Sequence, residues 1–110
     1  MNKETLTVER NKRGTVTYRN ASGQLHNENG PAVVYHNGDK SYYINGKRHN
    51  PDGPAVVGTD GYKLYLINGK LHNPNGPAVI GKDDYKEHWI NGKYLTGAGF
   101  KTWQAKQPAK

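Results

Sequence analysis

The sequence predicts an all-β fold: an elongated single-layer array of antiparallel β-hairpins, closed by a short C-terminal capping helix. Three observations carry that prediction. Ile44-Asn45-Gly46-Lys47 returns as Ile67-Asn68-Gly69-Lys70 and Ile90-Asn91-Gly92-Lys93, each 23 positions on, and Gly53-Pro54-Ala55-Val56 is matched at the same spacing by Gly30-Pro31-Ala32-Val33 and Gly76-Pro77-Ala78-Val79. Self-similarity at a fixed period marks a stacked architecture. Inside each copy, tyrosine, tryptophan, valine and isoleucine flank Asn-Gly. Those residues suit a pleated, half-buried surface, and Asn-Gly tolerates positive φ at both turn positions. Finally, the pattern stops after Lys93, where Leu95 takes the place of a recurring histidine and no Gly-Pro-Ala-Val follows.

Taken in order, residues 1–13 form an N-terminal cap. Leu6 and Val8 alternate with Thr5, Thr7 and Glu9, the period of a strand with one wet face. Asn11-Lys12-Arg13-Gly14 is a turn, and Thr15-Val16-Thr17-Tyr18 alternates again. The repeats span residues 14–36, 37–59, 60–82 and 83–105, the first being the most degenerate. Each reads as two strands. The first strand covers residues 40–44, 63–67 and 86–90; the second covers 31–35, 54–58 and 77–81 and opens on proline, where a missing N–H does least harm. Asn-Gly either makes a tight two-residue hairpin or kinks a longer loop. Two strands advance a sheet by about 9.5 to 10 Å, so the array should run to roughly 40 Å or more. Repeat arrays need capped ends. Thr96 is a helix N-cap candidate, Phe100 and Trp103 share a helix face, and residues 106–110 read as a tail.

The whole chain, 110 residues without cysteine, is sized for one domain and has neither disulfide nor thiolate metal site to hold it. No apolar run approaches the ~20 residues of a membrane span, and the start lacks the apolar core of a signal peptide; a soluble cytoplasmic protein is expected. Leu, Ile, Val and Phe number 18, and the net charge is +7, a balance that ordinarily points to disorder. Eight tyrosines and two tryptophans supply the missing apolar area, and the apolar residues recur at fixed places, which disorder does not require.

At Tyr43-Ile44-Asn45-Gly46-Lys47-Arg48-His49 and Trp89-Ile90-Asn91-Gly92-Lys93 the chain resembles the MORN repeat family. The family's glycine after the histidine is Asn50 here, and Asn27 and Asn73 in the other copies, and the Gly-Pro-Ala-Val box is not the family's usual second strand. The chain looks like a MORN-like variant of small bacterial and phage proteins, in which a helix starting at Leu-Thr often closes the array. The likeness covers about residues 14–105. It implies a scaffold, a dimerisation module, or a binder of proteins or acidic lipids, and no particular activity.

Candidate chemistry is sparse. His26, His49 and His72 share one repeat position. Ligands to one zinc lie within a few ångström, at bonds of about 2.0 to 2.1 Å, whereas equivalent repeat positions should stand about 10 Å apart. A histidine hydrogen-bonded to its own loop is therefore favoured over a metal site. His36 falls outside that position. Asp83-Asp84 replaces Asp60-Gly61 and reads as a turn before it reads as a carboxylate pair. There is no Gly-x-Ser-x-Gly elbow and no phosphate loop. No catalytic residue, metal or cofactor is expected.

Two sets of side chains remain. Lys40, Lys63 and Lys86 recur at one position, and Lys47, Lys70 and Lys93 at another, with Arg48 beside them. Such rows attract anions or simply keep a sheet soluble and its edges apart; lysine in place of arginine favours the second. Tyr42, Tyr65 and His88 share a strand position, as do Tyr43, Leu66 and Trp89. Adjacent residues point to opposite faces, so one row should be left exposed, as protein interfaces favour. The sequence is thus read as a non-enzymatic protein-binding module. By resemblance it would be a small phage- or bacterium-encoded inhibitor or adaptor of a cellular machine, defence systems included. The alternative is a basic binder of nucleic acid or acidic phospholipid. Oligomerisation stays open.

Overall fold

The computed structural model describes residues 5–108; the first four residues of the N-terminal cap and the last two of the tail lie outside them. The protein is an elongated antiparallel β-hairpin array with one helix at its C-terminal end, measuring 46 × 37 × 20 Å. Strands β1 (Thr7–Arg10) and β2 (Val16–Arg19) form the opening hairpin. Next come β3 (Val33–Val34), β4 (Lys40–Ser41), β5 (Tyr43–Ile44), β6 (Lys47–Arg48) and β7 (Val56–Val57). The third repeat supplies β8 (Lys63–Leu64), β9 (Leu66–Ile67), β10 (Lys70–Leu71) and β11 (Val79–Ile80). The fourth supplies β12 (Lys86–Ile90), β13 (Lys93–Leu95) and helix α1 (Gly97–Ala105).

The strands form two tiers. A nine-stranded sheet runs β1-β2-β3-β4-β7-β8-β11-β12-β13, and the hairpins β5–β6 and β9–β10 stand beside it. The expected first strands at 40–44 and 63–67 are each interrupted at a tyrosine, because there the chain changes partner. The Tyr42 N–H donates to Ala55 O at 2.7 Å in the main sheet, while Tyr42 O accepts the His49 N–H at 3.1 Å from its own hairpin. Tyr65 does the same with Ala78 and His72.

The Asn-Gly dipeptides make the tight alternative. Ile44 pairs with Lys47 and Ile67 with Lys70, leaving two residues in each turn. Asn45, Asn68 and Asn91 have φ near +50°, and Gly46, Gly69 and Gly92 near +80°, the primed geometry whose twist matches the strands. The first repeat differs. Arg19 bridges to Leu25, and the Asn20 N–H bonds Gln24 O, so its turn holds Ala21-Ser22-Gly23, one residue more. Asn20 consequently takes the place of Ile44. It is 5 % exposed, and its Oδ1 accepts the N–H groups of Ser22 and Gln24. The turn Lys82–Asp84 puts Asp83 and Asp84 at φ 57° and 62°, as a turn reading requires.

The core is thin. Ala32, Ala55 and Ala78 of the Gly-Pro-Ala-Val boxes are fully buried, with Val33, Leu66, Val79, Ile90 and Phe100 beside them. Polar scaffolding does the rest. Asn27, Asn50 and Asn73 each donate from Nδ2 to the carbonyl of Pro31, Pro54 or Pro77, and accept on Oδ1 the N–H two residues on. Each asparagine closes its loop through side-chain bonds that glycine could not make.

Candidate functional site

The second and third repeats each set the floor of one groove between successive loops. Tyr42 and Ile44, two apart on one strand direction, face the same way. Together with His49 they floor a groove of about 590 Å³ whose walls are the loops Asn27-Glu28-Asn29-Gly30 and Asn50-Pro51-Asp52. One repeat on, Tyr65, Ile67 and His72 floor a second groove of about 620 Å³ between the Asn50–Gly53 and Asn73–Gly76 loops. The walls stand because of the asparagine bonds just described. No lysine or arginine lines either groove, while Glu28 and Asp52 stand in their walls.

The third position in this series is occupied by the chain itself. His88 aligns with Tyr42 and Tyr65, and the Phe100 ring stacks on it at 4.3 Å and 22° between planes. Phe100 is 5 % exposed. It sits there because Thr96 caps α1, accepting the Gly99 N–H at 2.9 Å on its Oγ1, so that the helix turns back over β12. Trp103 stacks on Phe100 at 5.9 Å, and Gln104 Nε2 donates to Pro74 O at 3.2 Å, on the opposite wall.

The expected aromatic face therefore splits. Tyr42 and Tyr65 are half-buried in open grooves, and His88 is covered. Tyr43 and Trp89 do not line the grooves. Arg48 lies over the Tyr43 ring at 5.7 Å. Trp89 meets Tyr94 edge-on at 5.7 Å and donates from Nε1 to Glu87 at 2.8 Å. The Tyr85 hydroxyl also donates to Glu87. The two donors, Tyr85 foremost, hold the Glu87 carboxyl below its ordinary range, and the carboxylate raises the Tyr85 hydroxyl.

The expected hydrogen bond of each histidine to its own loop is joined by a longer reach: all three bond forward, into the next repeat. His26 Nδ1 accepts the Asn45 N–H at 2.9 Å, His49 that of Asn68 at 2.9 Å, and His72 that of Asn91 at 3.0 Å. Each imidazole thus clamps the Asn-Gly turn of the next repeat, and its Nδ1 must carry no proton to do so. Leu95 holds this position in the last repeat, where no further turn follows. His26 is 2 % exposed, with its Nε2 3.6 Å from Glu28. Among the described residues, no three histidine, aspartate or glutamate side chains gather as a metal centre requires.

The lysines of the two rows line neither groove, although Ile80, which lines the second, is paired between Lys63 and Lys86. Lys40 pairs with Val34 and Val57, Lys63 with Val57 and Ile80, and Lys86 with Ile80. Arg10 joins through Val16, which pairs with Val34. Paired residues share a face, so cations and aliphatics alternate across the main sheet from Val34 to Lys86, with Val16 standing between Val34 and Arg10. Arg10 was not legible as a member of this row, since only strand register brings it in. Lys47, Lys70 and Lys93 follow the Asn-Gly turns and are exposed. No helix is long and apolar enough to cross a membrane. Comparison with protein families, curated proteins and solved structures finds no match to this chain.

Proposed function

We propose that the chain is a non-enzymatic protein-binding module of the MORN-like kind, and that its two open grooves are the binding surface. The observation that carries this is the pair of equivalent concave sites floored by Tyr42 and Tyr65 on a rigid repeat scaffold. Tyrosine offers large apolar area with a polar tip, the profile of interface anchors. The resemblance to small phage and bacterial proteins extends the proposal to an inhibitor or adaptor acting in the cytoplasm on a cellular machine, a defence system being one candidate. That extension rests on analogy of fold and not on the site.

A second reading is supported by the row Arg10, Lys40, Lys63 and Lys86: a basic surface for nucleic acid or acidic phospholipid. The two readings call on different residues, the tyrosines for one and the lysines for the other, and substitutions separate them. The immobilised chain is presented to lysate from cells that carry its gene, alongside Tyr42→Ala/Tyr65→Ala and Lys40→Gln/Lys63→Gln/Lys86→Gln variants. The protein-binding reading expects an enriched protein that the tyrosine pair loses and the lysine set keeps. Absence of any enriched protein, or binding that the lysine set abolishes and that salt weakens with a slope near the number of phosphates contacted, would overturn it.

A further inference from the structure

We propose that the two open grooves receive aromatic side chains carried on a helical segment of the protein partner, in the manner in which Phe100 of α1 fills the third. This rests on the protein-binding reading and adds the chemistry of the ligand. The three sites correspond at the floor, formed by Tyr42, Tyr65 and His88; Asn-initiated loops wall both sides of the open pair, while the third has the Asn73 loop on one side and α1, grown from Thr96, on the other. The chain therefore displays its own example of a fitting occupant. In that example a phenylalanine stacks face-on upon the floor, a tryptophan three residues later stacks on it, and a glutamine four residues later donates to a wall carbonyl. Three- and four-residue offsets place these groups on one helix face. The carbonyl equivalent to Pro74 O belongs to Pro51 in the second groove and to Glu28 in the first, so both offer the same acceptor to an incoming side-chain amide.

Charge narrows the partner further. The walls carry Glu28 and Asp52 and no cation, and Lys101 directly follows Phe100 in the resident helix. The segment recognised is accordingly an amphipathic helix of the pattern aromatic-x-x-aromatic-amide, flanked by lysine or arginine. An acidic aromatic helix would meet like charge at both walls of the first groove and at the Asp52 wall of the second.

The probe is a side-chain-stapled peptide of residues 96–107, helical by circular dichroism before use, titrated into the full chain and followed by NMR. Two peptides should bind per chain, shifting Tyr42 and Ile44 in one groove and Tyr65 and Ile67 in the other. Tyr42→Ala in the protein should reduce the number to one. Phe100→Ala in the peptide should weaken binding by about tenfold or more. No shift at those residues with peptide on the order of 1 mM, the limit of weak affinity, would overturn the proposal, as would equal binding by the Phe100→Ala peptide. Should the peptide fail while a captured partner still depends on Tyr42 and Tyr65, the protein-binding reading stands and the aromatic-helix chemistry falls.

Discussion

Replacing each clamp histidine by leucine tests what couples one repeat to the next. Leucine is the residue that stands at this position in the last repeat, and it keeps most of the side-chain volume, so the substitution isolates the hydrogen bond from cavity formation. The three sites are not equivalent. His26 is 2 % exposed, and its bond to the Asn45 N–H is part-buried. Removing its acceptor strands a donor that water reaches poorly, at a cost of about 1 to 3 kcal/mol. The bonds of His49 and His72 to the Asn68 and Asn91 N–H groups are exposed, so water replaces the lost imidazole, and His49→Leu and His72→Leu should each cost only about 0.5 to 1.5 kcal/mol. Urea unfolding should therefore rank His26→Leu clearly below the other two. Hydrogen exchange adds a local reading: the Asn45 amide should lose protection in His26→Leu while Asn68 and Asn91 keep theirs. Equal midpoints for all three variants, or an Asn45 amide that exchanges as slowly as before, would refute the clamp.

Backbone handedness gives an opposing pair: a Cβ at Gly69 meets nothing within 4 Å but requires φ +82°, so Gly69→Ala should cost about 1 to 2 kcal/mol, whereas Asp84→Gly, relieving φ 62°, should stabilise by up to about 1 kcal/mol; thermal melts read both. Asp39 accepts the Thr59 N–H at 2.9 Å, and that bond, then one from Asn37, holds its carboxyl below the ordinary aspartate range. A group depressed on folding stabilises the native state above its unfolded value and ceases to as pH falls through the folded one. Asp39→Asn should accordingly flatten the acid limb of the stability profile and leave its shape near neutrality unchanged. Thr96→Ala removes the cap of α1 and should cost about 0.5 to 2 kcal/mol, with Trp103 fluorescence shifting red as the helix leaves β12.

The period and the capping helix could be read from the sequence because each depends on residues near one another, whereas Asn-Gly left a tight hairpin and a kinked longer loop both open. Asn-Gly sets φ locally, and Thr96 reaches only three residues to Gly99. What escaped reading depends on how repeats lean on each other. The histidines bond amides 19 positions away, and nothing in a single repeat reveals that. The partner change at Tyr42 and Tyr65 follows from the hairpins standing beside the main sheet, which shortens strands that propensity alone would extend. His88 and Tyr42 look alike by position, yet one is covered and the other open, because only the fourth repeat is followed by Phe100. The lysine row could be anticipated from its spacing, but Arg10 entered it through the β1–β2 register.

The helix that ends the array grows from Thr96, the position at which Asn27, Asn50 and Asn73 begin the earlier walls. Termination and self-occupation are thus a single event, and the number of vacant bays follows from the number of units upstream of it. Duplicating residues 60–82 in frame would add one bay and leave both ends intact, so valency in this architecture can be lengthened by simple gene duplication without redesigning any surface.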